Sequence, residues 1–183
     1  IMAGLVGSEM CIRDRYGVEQ FYRDVRISKI WEGTNGIQAL DLAGRKITQD
    51  FGKNLRHLLW PMTDFIEENR QNSEMAEFNK PLHQVVKGLQ QLTLLMISSG
   101  MANPNFLASG ATDYCRYFGN VLIGYMWARI ASVCLEKKND TFYEAKLASA
   151  RFFFQRIYPE TFGLAARIQS GPKPLMEYPT EMF

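Results

Sequence analysis

Arg23-Asp24-Val25-Arg26-Ile27-Ser28-Lys29-Ile30-Trp31-Glu32-Gly33-Thr34-Asn35-Gly36-Ile37-Gln38 reads as a short amphipathic helix, an aromatic-acid-glycine turn and the start of a second helix. Trp31-Glu32-Gly33-Thr34 sets one carboxylate between a large apolar ring and a glycine, whose backbone reaches angles closed to other residues. Thr34 or Asn35 can cap the following helix by accepting a hydrogen bond from one of its first N–H groups. The N-terminus of that helix brings partial positive charge near Glu32, which suits an anionic ligand or a developing anion. A carboxylate screened from water beside Trp31 has a raised pKa, as a general base working near neutral pH requires. Spacing alone favours a plainer reading, a solvated loop glutamate beside a core tryptophan, because perturbed carboxylates are a minority of all carboxylates.

Outward from the turn, the pattern is helical in both directions. Gly17 to Ile27 carries Val18, Phe21, Tyr22 and Val25 at steps of three and four residues, one face of a helix. Beyond the turn, Ile37, Leu40, Ala43 and Ile47 continue on a helix face, which Leu42 widens and Gly44 weakens by about 1 kcal/mol. Gln38 and Arg45 read as solvated or inter-helix contacts without a chemical role. Asp50-Phe51-Gly52 interrupts the periodicity and reads as a domain junction.

The rest of the chain reads as bundle helices. One is expected from Lys53 to about Asn72, with Leu55, Leu58, Leu59, Met62, Phe65 and Ile66 inward and Pro61 removing one backbone donor. Glu67 to Glu77 is polar, a helix end plus loop or a helix exposed on most sides. Leu82, Val85, Val86, Leu89, Leu92, Leu95 and Met96 form the next stripe, which ends at Gly100 to Asn103. Asn103-Pro104 then opens a helix with a capping side chain and Pro in the first turn, predicted to run to Lys137. Its stretch Tyr114, Tyr117, Phe118, Val121, Leu122, Tyr125, Met126 is read as inter-helix packing rather than a ligand pocket. Asn139-Asp140-Thr141 caps a further helix, with Thr141 and Glu144 spaced as a capping box. The wide face Phe142, Ala145, Leu147, Ala148, Phe152, Phe153, Ile157 predicts that this helix is central. Pro159 restarts a short helix through Ile168, Gly171-Pro172 stops it, and the tail from Lys173 is expected to be extended. β signals are nearly absent, so the fold class is all-α.

The 183 residues suffice for one domain of ordinary size with a substantial core. A net charge of +2, without a basic-aromatic patch, gives no sign of a nucleic-acid partner. Cys11, Cys115 and Cys134 share no metal spacing, and His57 and His83 stand far apart, so neither a zinc site nor a disulfide framework is read. Free thiols fit a reducing compartment, and the expected location is cytoplasmic. No apolar run reaches the length of a membrane span; Val121 to Ala131 comes closest and is interrupted by Gly124 and Arg129.

Tyr16-Gly17-Val18-Glu19-Gln20-Phe21-Tyr22-Arg23-Asp24-Val25-Arg26-Ile27, followed by Ile30-Trp31-Glu32-Gly33-Thr34-Asn35-Gly36-Ile37-Gln38, closely resembles the C-terminal catalytic segment of flavin-dependent acyl-CoA dehydrogenases. The resemblance is strong over about residues 16–47. Residues 53–183 resemble, more loosely, the extra helical C-terminal domain of the larger bacterial members. The resemblance implies that Glu32 is the base that removes the α-proton of an acyl-CoA thioester while the β-hydride passes to FAD, giving a trans-2-enoyl-CoA. It implies that the Glu32 backbone N–H helps polarise the thioester carbonyl. By the same resemblance Gly33 contacts substrate, Trp31 walls the acyl pocket where the family usually has Tyr, and Thr34, Asn35 and Gly36 touch FAD. Arg23 and Asp24 match a pair read as structural. An electron-transferring flavoprotein as acceptor and a homo-oligomer are implied as partners. Some relatives carry the base on a different helix and lack Glu in the turn; this chain has it.

Glu9-Met10-Cys11-Ile12-Arg13-Asp14-Arg15 resembles translated sequencing-adapter DNA, so residues 1–15 read as an artefact standing where the family has a glycine-rich flavin-binding segment. The expected organisation is then residues 16–50, the end of the catalytic helical domain, and residues 51–183, an additional antiparallel helical bundle with a tail. Two alternatives stay open at this level, an acyl-CoA oxidase-like relative and a non-enzymatic helical interaction module.

Overall fold

In the computed structural model the described residues are 18–30, 34–49, 52–137, 140–177, 179 and 181. They fall into two compact units, one ending at Asn35 and one running from Gly36. In the first, α1 spans Val18–Arg26 and passes into a 3-10 turn at Ile27–Lys29, which Ile30 closes by donating to the Ile27 carbonyl at 2.9 Å. The stripe read from the sequence forms, but Phe21, Tyr22 and Val25 are all exposed. Asp24 accepts a hydrogen bond from Gln20 Nε2 at 2.8 Å.

Asn35 also begins α2 (Asn35–Leu40), which widens into a π-helical turn at Asp41–Lys46. Then come α3 (Lys53–Glu68), α4 (Ala76–Ala102), α5 (Pro104–Glu136), α6 (Thr141–Phe152) with a second π turn at Phe153–Ile157, α7 (Glu160–Ser170) and α8 (Lys173–Met176). No strand occurs among the described residues, and the fold is all-α.

The bundle is antiparallel, and the register can be read from side chains. Between α4 and α5, Gly100 meets Leu107, Thr93 meets Tyr114 and the Val85 carbonyl meets Tyr117, so numbers fall on α4 as they rise on α5. Asn103 makes this hairpin possible: its side chain accepts from Asn105 N–H at 3.0 Å and Pro104 takes the first helical position, as the sequence predicts. Between α5 and α7, Asp113 holds Arg167 at 2.6 and 3.0 Å and Gly124 lies against Tyr158. On α3, the Ile66 carbonyl accepts from Asn79 of α4 at 2.9 Å and the Pro61 carbonyl from Tyr125 of α5 at 3.4 Å. Pro61 thus stays within an unbroken helix.

Helix α5 is the hub, packed by α4, α6, α7 and the Asp41–Lys46 turn. By length and composition it is apolar enough to cross a bilayer, where the sequence reading found no run of that length. Here one side of it forms the core. Tyr114, Val121, Ala128 and Ala131 are fully enclosed, and the stripe Leu82, Val85, Val86, Leu89, Leu92, Met96 of α4 faces them as predicted. Thr93 Oγ1 donates to the Leu89 carbonyl and is hydrogen-bonded to Tyr114 Oη, both at 2.7 Å, so a polar pair in the core is satisfied.

Gly124, read only as an interruption of an apolar run, turns out to be a contact point. A Cβ there would lie 2.5 to 2.8 Å from two ring carbons and the phenol oxygen of Tyr158, whose ring is wedged against Phe153 and Phe154. Gly124→Val is therefore expected to destabilise the chain by about 3 kcal/mol through overpacking, lowering Tm by roughly 6–12 °C at this size. An unchanged Tm by calorimetry would refute the close approach.

Several expectations need correction. The buried positions after the turn are Ala39, Ala43 and Ile47, whereas Ile37 and Leu40 are exposed. The reason is the π turn: Ile47 N–H donates five residues back to Leu42 at 3.2 Å. That wider turn absorbs the drift a four-residue repeat would show on an α-helix. Helix α4 starts earlier than read, at Ala76, because Asn72 Oδ1 accepts from Glu74 and Met75 N–H and stops the polar stretch at once. The cap of α6 is Asp140, which accepts from Phe142 N–H at 2.8 Å; the Thr141–Glu144 spacing is one residue out of phase. Helix α6 is peripheral rather than central: only Ala150 is buried along it, and the apolar residues that enter the core, Phe153, Phe154 and Tyr158, follow on the second π turn. The tail begins as α8 instead of an extended strand, with Leu175 and Met176 exposed. Tyr178 and Phe183 lie outside the described residues.

Candidate active site

The turn that carries the candidate chemistry is only half within view. Trp31, Glu32 and Gly33 lie outside the described residues. Thr34 is half-buried and immediately precedes α2, the position of a capping residue; Asn35 and Gly36 form the first, exposed turn of that helix. A Cβ built on Gly36 would meet nothing within 4 Å. Packing within the chain does not demand glycine there, and the space beside the backbone is open for another molecule to approach. The donor set at this helix start is a hydroxyl, a carboxamide and backbone N–H groups not yet used by the helix. Such donors fit the polar edge or phosphate of a cofactor such as FAD.

In the π turn that follows α2, Arg45 grips Asp41 with two hydrogen bonds, the Nη2 one at 2.9 Å, and Lys46 approaches the same carboxylate at 3.7 Å. The Arg45 hydrogen bond, aided by the charges of Arg45 and Lys46, holds the Asp41 carboxyl below its ordinary range. Arg45, read as a contact without chemistry, therefore has a partner on its own helix. Thr48 Oγ1 donates to the Gly44 carbonyl at 2.7 Å and ends the π turn. Gly44 faces Leu107 of α5 at ordinary contact distance, 3.4 Å for an added Cβ.

A groove of about 580 Å³ runs between α3 and α4, walled by Leu55, Leu59, Trp60, Leu94 and Ile97, with Thr93 at its floor. Sequence periodicity placed Leu55 and Leu59 inward but gave no sign of Trp60, which stands off the stripe and is exposed. Among the described residues no group of His, Cys, Asp or Glu is placed to hold a metal ion.

Two family models cover most of the sequence. One described as acyl-CoA dehydrogenase, C-terminal domain, matches residues 1–47, a range that includes the stretch read as an artefact. The other, described as acetyl-CoA dehydrogenase C-terminal like, matches residues 58–179. The Asp50-Phe51-Gly52 break falls between them, and Gly52 itself adopts φ +75°, a left-handed angle suited to glycine. Among curated relatives, the broad-specificity linear acyl-CoA dehydrogenase FadE5 of Mycobacterium tuberculosis is 26% identical over 181 residues, covering 92% of this chain and 30% of that protein. The 3-methylmercaptopropionyl-CoA dehydrogenase of Ruegeria pomeroyi is 31% identical over 164 residues, 83% of this chain and 27% of that protein. A butyryl-CoA dehydrogenase of Syntrophomonas wolfei is 26% identical over 176 residues, 92% of this chain and 29% of that protein. This chain spans about three tenths of the length of these relatives. The match over residues 58–179 takes in more than half of the sequence, and the chain belongs to the acetyl-CoA dehydrogenase C-terminal-like family.

Proposed function

We propose that this chain is the C-terminal part of an acyl-CoA dehydrogenase, contributing the catalytic base and part of the flavin contact to a larger enzyme. The observation that carries the reading is the pairing of two acyl-CoA dehydrogenase family matches, in chain order, with a helix that begins at Asn35, just past the Trp31-Glu32-Gly33 sequence. In this role Glu32 takes the α-proton of the thioester, and its N–H donates to the thioester carbonyl as negative charge develops there. Trp31 and Gly33 line the acyl side of the turn. Thr34 and Asn35 donate to polar atoms of FAD, and Gly36 leaves the space for it to approach. When bound, FAD supplies the acceptor for the β-hydride. The removed proton rests on the Glu32 carboxylate. Electron-transferring flavoprotein as the onward acceptor, a homo-oligomeric assembly and a cytoplasmic location belong to the same proposal.

The test uses the full-length enzyme that carries this chain as its C-terminal part. Anaerobic addition of a saturated acyl-CoA is expected to bleach the oxidised flavin absorbance and to release a trans-2-enoyl-CoA. A purified flavoprotein that binds FAD yet stays oxidised with short, medium and long acyl-CoA thioesters would sink the reading.

A further inference from the structure

Helix α5 is apolar on two sides, and the core uses one of them. On the other, Ile123, Met126, Ile130 and Val133 recur at steps of three, four and three residues, and all four are exposed. Helix α6 continues this surface with Phe142, 60% exposed. Between the two helices lies a trough of about 450 Å³ in which Met126, Ile130, Val133 and Phe142 are flanked by Arg129 and Lys146. The Arg129 guanidinium lies over the Tyr125 ring at 5.7 Å and the Lys146 ammonium over Phe142 at 5.6 Å. No carboxylate lines the trough among the described residues. At its end Lys137 donates to Tyr143 Oη at 3.1 Å, with Glu136 and Asp140 close enough to favour its charge.

A helix that is apolar all round is ordinarily buried all round, and a contiguous exposed apolar patch marks an interaction surface. The alternating three- and four-residue spacing is the seam two helices make when they pack along each other. Two cations on the flanks, with no acid between them, call for negative charge on the occupant. We propose that the α5–α6 trough docks an amphipathic helix of a partner protein whose apolar stripe is edged by aspartate or glutamate. This inference is independent of the catalytic reading, since no residue of the candidate active site takes part in it.

The probe is a fluorescently labelled helical peptide with leucines at alternating three- and four-residue steps, edged by glutamates, and a twin edged by lysines. Each is titrated with the full-length enzyme that carries this chain while anisotropy is read. The glutamate-edged peptide is expected to bind with Kd on the order of 10 µM, and its twin at least roughly tenfold more weakly. Lys146→Glu should erase the preference between the two, and Ile130→Glu should remove binding, while Lys87→Glu on exposed α4 surface leaves it unchanged. If Ile130→Glu fails to fold by circular dichroism, the exposed Lys146→Glu decides alone. Equal binding of the twins, or none, overturns the proposal. So does a concentration-dependent dimer in sedimentation that Ile130→Glu dissociates, which would give the trough to a second copy. Binding to anionic vesicles that Ile130→Glu abolishes would give it to a lipid surface and overturn it equally.

Discussion

Glu32→Gln in the full-length enzyme is expected to slow flavin reduction by an acyl-CoA about a thousandfold while leaving FAD content unchanged. The substitution keeps the size of the side chain and the backbone N–H of the turn, so binding of the thioester carbonyl should survive. What it removes is the only group in the turn able to accept a proton. The α-C–H bond is cleaved only in the transition state, so kcat and kcat/KM should fall together, the signature of an interaction absent from the ground state. Rapid mixing of enzyme and substrate, followed at the oxidised flavin band, reads this directly. Near-normal reduction in the variant would take Glu32 out of the role, and loss of FAD would make it a residue of cofactor binding instead.

The second large effect belongs to the bundle itself. Burial pushes the Tyr114 and Tyr117 phenols up to about 12, and Tyr158 higher still, through burial first and the nearby Tyr117 second. Each phenol is neutral in the folded core and has an ordinary pKa near 10 once unfolded. Below pH 10 both states keep the proton and stability is complete. From about pH 10 to 12 the unfolded chain releases protons that the folded chain retains, so stability falls as pH rises. Two units on each of two tyrosines amount to a loss on the order of 5 kcal/mol by pH 12, comparable with the whole stability of many domains. Helical circular dichroism of the complete chain should therefore collapse between pH 10 and 12, with the part of the tyrosinate absorbance that belongs to the buried rings rising in the same interval. Tyrosinate absorbance that reaches its full value near pH 10 with the helices intact would show these rings to be open to water.

The candidate site was legible in sequence as residue types in order: an acid between an aromatic and a glycine, then a capping residue at a helix start. The structure bears on the second half of that motif, placing the helix start at Asn35 after Thr34 and open space beside Gly36. Trp31, Glu32 and Gly33 lie outside the described residues, and Glu32→Gln tests the role proposed for the acid. The exposed stripe of α1 shows why periodicity reads a face without its partner: Phe21, Tyr22 and Val25 were recognised as one side of a helix, but spacing says nothing about what they pack against.

Sequence by itself determined the all-α class, the Asn103-Pro104 hairpin and the inward stripe of α4, because each rests on chemistry within a few residues. A capping side chain, a missing N–H and a 3.6-residue period act over one or two turns. Only the tertiary structure decided which apolar face is covered. It buried Ala39, Ala43 and Ile47 through a π turn, moved α6 to the periphery, and made Gly124 the seat of the Tyr158 ring. Those outcomes depend on how neighbouring helices share limited space, and close packing between residues far apart in the chain leaves no periodic trace in either partner's sequence.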